Sequence, residues 1–505
     1  MISKVKVFRY NPLRDAVPRL EQYDVPLEDG ARVLDALVFI RDNLGVDLAF
    51  RYSCKSGVCG TCSVLVNGEP CCACRREAEP SMIIGPLPSF PTIRDLVVDR
   101  SSADRRLNRT RSFLEVRTVP QPYARLRAAE IVDYKKVAKC IECYSCVAAC
   151  PVIGKPGAFS YIGPSYMVGL AQLAFDPLDS GERGRTAYYE GVYDCTTCAK
   201  CSQVCPKEIA IPETTIEKLR ELATRTGLGP LDAHRRVAQY IKETGRSVQK
   251  TTTPFLEIPL PLQIRAPERR VGFFTGCLID YRLQRVGQAT VSVLRKLGFE
   301  VDPLKGQVCC GSPLLRTGQR ERVTDLVKKN CEVITGSGVD LVITVCAGCG
   351  KTLRKDYPSL IKQAGLEQPH WKVLDITEFL LERLTKSGLT ARPQLRVTYH
   401  DPCHLRRGLG VFREPREVIR MIPGVEFVEM EKPDLCCGAG GGVRSGDRPL
   451  SMLMARDKAA LVRGSGAEAV VTVCSFCQLQ LSDALEGSAI ETLNITELLD
   501  GALKP

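Results

Sequence analysis

Residues 140–151 read CIECYSCVAACP and residues 195–206 read CTTCAKCSQVCP, so the same C-x2-C-x2-C-x3-C-P run occurs twice. This doubled spacing is typical of chains that hold two cubane [4Fe–4S] clusters, in which the fourth cysteine of each run ligates the other cluster. The first cubane is therefore predicted to take Cys140, Cys143, Cys146 and Cys205. The second is predicted to take Cys195, Cys198, Cys201 and Cys150.

A third cysteine loop lies upstream, where residues 51–62 read RYSCKSGVCGTC. With one later cysteine the spacing is C-x4-C-x2-C-x11-C, which is plant-type [2Fe–2S] spacing with a shorter final interval. The predicted ligands are Cys54, Cys59, Cys62 and Cys74. Cys71 and Cys72 lie within three residues of Cys74 and compete with it as the fourth ligand. A zinc ribbon is the structural alternative, but it would have two C-x2-C pairs farther apart.

The C-terminal half contains an internal repeat of cysteines. Four of them recur at offsets of 126, 127, 128 and 128 residues, which indicates a duplication. The first copy contains Cys277, Cys309, Cys310, Cys346 and Cys349. The second copy contains Cys403, Cys436, Cys437, Cys474 and Cys477. Five thiolates per copy exceed the need of one cubane or one zinc, so a larger or irregular cluster is predicted in each copy.

Apolar segments alternate with helical segments in each copy of the repeat. Both copies begin with an apolar strand that runs into the first cysteine (RVGFFTGC and RVTYHDPC), and both later have another (LVITVCAGC and AVVTVCSFC). This alternation predicts a parallel α/β sheet in each copy, with cysteines at the strand carboxyl ends, where such sheets bind ligands. A proline-rich stretch at 254–267 favours extended backbone and predicts a domain boundary.

The upstream chain predicts different elements. Residues 4–10 alternate as a strand, Asp29 and Gly30 indicate a turn, and a helical region extends from about 134 to 249. One face of a helix is predicted from the spacing of Val33, Leu34, Leu37, Ile40 and Leu44. We therefore predict a multidomain α+β protein with a [2Fe–2S] domain at 1–105, a helical two-cluster domain at 106–252, and two α/β halves at 268–390 and 391–505.

The abundance of cysteine indicates the kind of ligand and the cellular compartment. The chain has 25 cysteines among 505 residues, which favours metal ligands in a reducing compartment. The N-terminus lacks the apolar core of a secretion signal, and no apolar stretch approaches the roughly 20 residues of a membrane span. A cytoplasmic protein, with membrane contact that is at most peripheral, is therefore predicted.

The net charge of +12 does not by itself indicate a nucleic-acid partner. Half of it lies in residues 100–127, where eight arginines face only Asp104 and Glu115. No base-stacking motif accompanies these arginines. A solvated connector or a subunit-docking surface is the favoured interpretation, and no nucleic acid is predicted.

The remaining candidates have weaker interpretations. Cys331 is predicted to be a thiol of the core. His400 and His404 flank Cys403, where they are candidates to hydrogen-bond a metal ligand or donate a proton, or they simply pack. Residues 464–469 superficially match a dinucleotide fingerprint but precede a strand, so no cofactor beyond the clusters is predicted.

The first 250 residues resemble the iron–sulfur subunit of succinate dehydrogenase and fumarate reductase. The resemblance rests on the cysteine segments quoted above, on IRDLVVDR at 93–100 and on YIGPS at 161–165. It implies a β-grasp [2Fe–2S] ferredoxin domain and a helical two-cluster ferredoxin domain that exchange electrons with a separate FAD-containing flavoprotein subunit. The departure is Cys198, because the respiratory enzymes commonly have another residue there and hold a [3Fe–4S] cluster beside a quinone. No tryptophan follows Cys150, so a conventional quinone site is not expected.

Residues 270–500 are similar to the B subunit of heterodisulfide reductase, and both of its CCG motifs are complete here. The similarity implies two non-cubane [4Fe–4S] clusters and gives the ten cysteines of the repeat a catalytic role. Together the two resemblances indicate the thiol:fumarate reductase family, in which oxidation of the thiols CoM-SH and CoB-SH to their heterodisulfide drives reduction of fumarate to succinate. The implied partners are the flavoprotein and small thiols or disulfides.

A quinone-linked succinate dehydrogenase or fumarate reductase is the alternative, since CCG domains also occur in complexes of that kind. The C-terminal domain would then transfer electrons or dock on a membrane. Residues 373–384 have the amphipathic spacing of a helix suited to docking, or to packing on a sheet. Metals that only stabilise the fold are a third interpretation, which five complete ligand sets disfavour.

Overall fold

The computed structural model describes residues 2–110, 112–116, 127–156, 161–259, 269–384, 389–390 and 394–503. Parts of the arginine-rich connector (111 and 117–126) and of the proline-rich stretch (260–268) lie outside these described residues. The chain forms two compact units, Met1–Val192 with Ala199–Leu228, and Tyr193–Cys198 with Gly229–Pro505.

A five-stranded sheet forms the N-terminal part of the first unit. Its strands are β1 (Ile2–Arg9), β2 (Arg19–Pro26), β3 (Ser63–Val66), β4 (Glu69–Cys72) and β5 (Ser81–Gly85). Their order is β2-β1-β5-β3-β4, in which only the β1–β5 pair is parallel. Alternation along β1 buries Val5 and Val7 completely and leaves the intervening lysines exposed, as the sequence predicts.

Helix α1 (Val33–Asp42) packs on this sheet through four of the five predicted residues. The prediction was wrong for Leu44, which lies beyond the end of the helix and is 46% exposed. The helix ends at Asp42 with Asn43 as its C-cap, and Gly45 then adopts a φ of 66°, which turns the chain away from the helical path. A separate two-stranded sheet follows, formed by β6 (Thr92–Arg94) and β7 (Val97–Val98).

Helices dominate the chain from residue 101 to residue 244. They are α2 (Ser101–Arg109), α3 (Val132–Val137), α4 (Ser145–Ala148), α5 (Pro164–Ala174), α6 (Arg183–Tyr189), α7 (Lys200–Gln203), α8 (Glu217–Arg225) and α9 (Asp232–Thr244). In α8 the fully buried Arg220 donates to the carbonyl oxygen of Val192 from Nε (3.0 Å) and Nη2 (2.7 Å). These bonds attach the helix to the chain that leads into the second cysteine run.

Two four-stranded parallel sheets form the core of the second unit, as the alternating segments predict. The first contains β8 (Arg269–Phe274), β9 (Phe299–Asp302), β10 (Leu341–Thr344) and β11 (Lys372–Asp375), in the order β11-β10-β8-β9. The second contains β12 (Leu395–Tyr399), β13 (Val425–Phe427), β14 (Ala469–Thr472) and β15 (Glu491–Asn494), in the order β13-β12-β14-β15. The two orders are the same when the strands are numbered within each half.

Helices surround both sheets of the second unit. In the first half they are α10 (Gly276–Tyr281), α11 (Gln284–Lys296), α12 (Ser312–Arg316), α13 (Thr324–Ser337), α14 (Ala347–Lys351), α15 (Tyr357–Gln363) and α16 (Ile376–Leu381). In the second half they are α17 (Cys403–Leu409), α18 (Glu414–Met421), α19 (Val443–Gly446), α20 (Arg448–Gly464), α21 (Ser475–Ala484) and α22 (Ile495–Asp500). The halves meet at α11 and α22, where the hydroxyls of Thr290 and Thr496 are 3.2 Å apart. Short 3-10 turns lie at Ala128–Ile131, Val192–Asp194, Phe255–Glu257 and Arg320–Val323, and π turns at Pro212–Ile216 and Thr352–Asp356.

The amphipathic helix predicted over 373–384 was wrong at its start, because Val373 belongs to β11. Within residues 373–384 the helical part is α16, and its Ile376, Phe379 and Leu380 are fully buried in the core of the second unit. Its apolar face therefore packs inside the unit and does not face solvent. Among the residues described, no helix is both long enough and apolar enough to cross a membrane.

Candidate metal centres

The loop that follows Cys54 surrounds its sulfur with backbone amides. The N–H groups of Ser56, Val58 and Cys59 donate to Cys54 Sγ at 3.5, 3.3 and 3.4 Å. These hydrogen bonds lower the pKa of Cys54 to about 5, which favours the thiolate that a metal binds. The loop closes tightly because Gly57 adopts a φ of 72°, which other residues rarely adopt.

Cys74 contacts the same loop, as expected for a fourth ligand. Its thiol is hydrogen-bonded to Cys62 and accepts the N–H of Gly57. Cys72 also contacts Cys62, but its thiol is hydrogen-bonded in addition to Cys143 of the first cubane run. The loop amide therefore favours Cys74 as the ligand, and Cys72 links two predicted ligand sets.

The other two unassigned cysteines lack these contacts with loop amides. Burial raises the pKa of Cys71 to about 12 and that of Cys331 to about 11. Cys331 packs against the core of the second unit, where the sequence predicts a core thiol. Neither position therefore has the amide contacts that support Cys54 and Cys74 as metal ligands.

The four predicted ligands of the first cubane line one small cavity in the first unit: Cys140, Cys143, Cys146 and Cys205. The fourth comes from the second run, as the exchanged pattern requires. Burial raises the pKa of Cys140 to about 11 and that of Cys146 well above its ordinary value. Metal binding would offset this burial cost, because a metal ligand must be a thiolate.

The two C-x2-C-x2-C runs share one backbone conformation. Left-handed φ values of 50° to 60° occur at the same two positions of each run, namely Glu142 and Tyr144, and Thr197 and Ala199. Such alternation directs successive N–H groups toward one centre and favours an anionic cluster there. The predicted second cubane set is Cys150, Cys195, Cys198 and Cys201, of which Cys195 and Cys198 belong to the second unit.

One cavity of about 340 Å³ in the second unit is lined by both five-cysteine sets of the repeat. From the first half these are Cys277, Cys309, Cys310, Cys346 and Cys349. From the second half they are Cys403, Cys436, Cys437, Cys474 and Cys477. Cysteines that are separated by up to 200 residues in the chain thus share one cavity.

Contacts between thiols connect the two halves across this cavity. Cys349 is hydrogen-bonded to Cys346, and Cys346 is hydrogen-bonded to Cys474 of the other half. The sulfurs of Cys437 and Cys477 are 3.5 Å apart. A zinc ion takes four ligands, so ten adjoining thiols fit clusters of iron and sulfide better than single zinc ions.

The cysteines of this cavity occupy strand ends and helix starts. Cys346 follows β10 and Cys474 follows β14, and each is the N-cap of the next helix. Contacts with the Cys349 and Cys474 thiols, followed by the N–H groups of Cys349 and Gly348 at the start of the helix, lower the pKa of Cys346. These amides favour negative charge at the position where the sequence predicts a thiolate.

The second half of the repeat also contacts the start of the second cubane run, within the same unit. A Cβ atom on Gly441 would lie 2.3 Å from the carbonyl oxygen of Cys195, and one on Gly440 would lie 2.6 Å from that of Thr196. Only glycine permits such an approach. The thiol of Cys436 is hydrogen-bonded to that of Cys198, so predicted ligands of two different clusters touch.

Arg407 holds this contact in place. Its Nη1 donates to the carbonyl oxygen of Cys198 at 3.1 Å, while Nη2 donates to the carbonyl oxygen and the carboxylate of Asp434 at 2.6 and 2.7 Å. Asp434 lies two residues before Cys436. The guanidinium therefore bridges the backbone of the two cysteine loops.

Both histidines beside Cys403 are enclosed, and burial lowers the pKa of each. The ligand atoms of His400, Cys437 and Cys477 lie within 4.8 Å of one another. His404 instead lines the cavity. Of the predicted alternatives, the position of His400 favours a hydrogen bond to a cysteine ligand.

Sequence analysis missed three arginines that line the same cavity: Arg316, Arg444 and Arg448. A signal was present, because Arg316 follows Cys310 by six residues and Arg444 follows Cys437 by seven. An arginine at a similar distance after both CC pairs is a feature of the repeat that cysteine spacing alone does not reveal.

Comparison with known families agrees with this arrangement of cysteines. Residues 4–105 match a 2Fe-2S iron-sulfur cluster binding domain, and residues 136–209 match a 4Fe-4S dicluster domain. Residues 271–354 and 397–482 each match the cysteine-rich domain CCG. One CCG match lies in each copy of the cysteine repeat.

Similar proteins combine the same parts. The B subunit of fumarate reductase (CoM/CoB) from Methanothermobacter marburgensis is 47% identical over 502 residues, which is 99% of each chain. The D subunit of the dihydromethanophenazine:CoB–CoM heterodisulfide reductase from Methanosarcina acetivorans is 33% identical and covers 74% of this chain and 95% of its own length. The fumarate reductase iron-sulfur subunit of Escherichia coli O6:H1 is 34% identical over 44% of this chain and 96% of its own length.

The cysteine centres and these relatives define an iron–sulfur electron-transfer protein, an oxidoreductase subunit of a fumarate reductase. The 47% identity over 99% of the chain also shows a more specific family. The chain belongs to the family of the fumarate reductase (CoM/CoB) B subunit.

Proposed function

We propose that this chain oxidises CoM-SH and CoB-SH to their heterodisulfide in the ten-cysteine cavity and passes the electrons to an FAD-containing flavoprotein subunit that reduces fumarate to succinate. The observation that carries the proposal is the single cavity lined by both five-cysteine sets. Joining two thiols needs both sulfurs in one place. A cavity built from both halves of the duplication meets that need.

The reaction balances without another reactant. Two thiols lose two protons and two electrons as the sulfur–sulfur bond forms, and fumarate takes up two protons and two electrons to become succinate. Bound iron–sulfur clusters would supply one-electron transfer between these two half-reactions. Several one-electron centres in one chain suit a two-electron reaction at each end.

Twenty-two cysteines are proposed as ligands. The proposed β-grasp domain would hold one [2Fe–2S] cluster with Cys54, Cys59, Cys62 and Cys74. The helical ferredoxin domain would hold two cubane clusters with Cys140, Cys143, Cys146 and Cys205, and with Cys195, Cys198, Cys201 and Cys150. The CCG halves would hold two non-cubane [4Fe–4S] clusters with the ten cavity cysteines.

The protein's own residues shape the conditions for this chemistry. The cysteines of the cavity are at most 7% exposed, except Cys403, and Phe476 and Leu479 add apolar surface. Water is thereby limited around the sulfurs, which strengthens every charge interaction there. Apolar walls also suit the enclosed pockets in which small ligands are commonly held.

Contacts within each unit support a path for electrons away from the cavity. In the second unit Cys436 touches Cys198, a proposed cubane ligand. In the first unit Cys72 touches both Cys143 of the other cubane set and Cys62 of the [2Fe–2S] set. These contacts, one between proposed ligands and one through Cys72, keep the gaps that electrons must cross short.

The test separates thiol chemistry from fumarate reduction in the purified complex of this chain with its flavoprotein. Cys349→Ala and Cys477→Ala should each abolish fumarate reduction by CoM-SH plus CoB-SH, while fumarate reduction by a reduced viologen dye that donates directly to the flavoprotein continues. Cys331→Ala is the matched control and should retain both activities. Full thiol-dependent activity in both cavity variants would overturn the proposal and favour the quinone-linked alternative.

A further inference from the structure

The ten-cysteine cavity has an uneven distribution of charged side chains. Three arginines line it, and none of its lining residues in the described part of the chain is an aspartate or glutamate. Bound clusters with thiolate ligands would add negative charge near the cysteines. The arginines therefore either balance that charge or bind a negatively charged molecule that enters the cavity.

Exposure separates the arginines into two kinds. The Arg316 side chain is only 3% exposed and forms a salt bridge with Asp356. The side chains of Arg444 and Arg448 are 18% and 47% exposed, so solutes reach them from solvent. The cysteines of the cavity are much more enclosed, which makes this pair poorly placed to balance cluster charge.

Arg444 and Arg448 together have more positive charge than their shared partner, Asp483, neutralises. Arg444 Nη2 and Arg448 Nη2 both donate to the same oxygen, Asp483 Oδ2, each at 2.6 Å. Arg444 Nη1 additionally donates to the Gln480 side-chain carbonyl. One carboxylate thus fixes two guanidinium groups and leaves a net positive charge with further N–H donors available.

The two arginines and their partners lie on helices that adjoin the cavity cysteines. Arg444 lies in α19 and Arg448 begins α20, only six residues after Gly442 of the second CC loop. Asp483 and Gln480 both lie in α21, the helix that begins at the cavity cysteine Cys474. A fixed fork of two guanidiniums matches the oxygens of a sulfonate, carboxylate or phosphate.

We propose that Arg444 and Arg448 bind the anionic group of the substrate thiol and direct its sulfur toward the cavity cysteines. This inference rests on the proposed function, and it assigns the substrate class as a short thiol that carries an oxyanion. CoM-SH, which is 2-mercaptoethanesulfonate, has this form. Its sulfonate would lie at the exposed pair while the thiol reaches the enclosed sulfurs.

The test uses binding as well as turnover. Equilibrium dialysis of the intact iron-loaded complex should detect binding of ethanesulfonate, which has the anion without the thiol, and Arg448→Gln or Arg444→Gln should weaken it about 10- to 100-fold. Arg463→Gln changes an exposed arginine of the same α20 and should leave binding unchanged. In turnover, the same two substitutions should raise KM for 2-mercaptoethanesulfonate.

Each other outcome has a definite meaning. Unchanged ethanesulfonate binding and unchanged KM in both arginine variants would overturn the anion site while leaving thiol oxidation intact. Loss of iron from the variants would also overturn it, because the arginines would then serve the clusters. Arginine-dependent binding of ethanesulfonate without any thiol-dependent fumarate reduction would support the anion site and refute the proposed function.

Discussion

Asp375 and Asn494 occupy equivalent positions in the two halves of the repeat. Each ends a strand and caps the next helix, with its side-chain oxygen accepting the N–H of the threonine two residues on, at 2.9 and 3.2 Å. Each cap is completed by a glutamate that bonds back to the cap's own N–H. The aspartate differs in charge, and burial raises the pKa of Asp375 to about 7.

This shift predicts a pH dependence that Asp375→Asn should remove. Below about pH 4 the carboxyl is protonated in both the folded and the unfolded chain. From there to about pH 7 only the unfolded chain loses the proton, so the free energy of unfolding falls as pH rises. Relative to wild type, the variant should gain about 2 kcal/mol between pH 5 and pH 7.

Melting temperatures of the variant and wild type across this pH range check the expectation. Asn494→Asp is the reciprocal control and should introduce the same pH dependence in the other half. If the wild-type and Asp375→Asn curves run parallel, the carboxyl is ionised in the folded protein and the assignment of its pKa is wrong.

Cys198 carries a second prediction at the residue scale. It is proposed as one corner of the cubane that also uses Cys195, Cys201 and Cys150. Cys198→Ser should therefore leave a [3Fe–4S] cluster, detected in the oxidised protein by its EPR signal, with about one iron atom fewer per chain. Cys331→Ser should leave the spectrum unchanged. An intact cubane in Cys198→Ser would show that the ligand is another residue.

At the scale of elements, glycine is needed for different reasons in the loop after the second CC pair and in the turn after α21. Gly441 has a φ of 62° and faces the carbonyl oxygen of Cys195 at a distance that no Cβ tolerates. Gly487 has a φ of 78° but has no heavy atom within 4 Å of the position a Cβ would take. Comparing Gly441 with Gly487 therefore separates the effect of backbone strain from the effect of close packing.

Gly441→Ala should therefore destabilise the protein more than Gly487→Ala. Both lose about 1 kcal/mol or more to left-handed strain, and only Gly441→Ala adds an overpacking cost of about 1–3 kcal/mol. The difference in melting temperature should be several degrees. Equal melting temperatures in the two variants would mean that the loop and the cubane run separate easily.

Sequence reasoning predicted elements where periodicity is local and failed where tertiary packing decides. The predicted apolar strands that run into cysteines are confirmed, because short runs rich in β-branched residues favour buried strands. Residues 373–384 were assigned to one helix because Val373 fits the apolar face of a helix as well as an interior strand. The matching segments LDITEFL and LNITELL, a strand end followed by a capping box, were a signal that would have corrected this.

At the scale of the whole molecule, cysteine spacing predicts ligand sets but not their neighbourhood. The two CCG sets were expected at two strand ends, yet their convergence on one cavity depends on how the halves pack through α11 and α22. The arginines of the cavity were missed for the same reason. Their side chains acquire a role only when α19, α20 and α21 are brought together.

The iron content of the chain tests all five proposed sets at once. The sets would hold about 18 iron atoms per chain, with acid-labile sulfide in similar amount. Cys477→Ala should remove about four iron atoms and leave the remainder, because its set shares no proposed ligand with the cubanes. Anaerobic iron, sulfide and zinc analysis of the purified protein provides the measurement. About ten iron atoms per chain together with bound zinc would mean that the CCG halves hold structural zinc, and thiol oxidation in the cavity would then lack its electron acceptors.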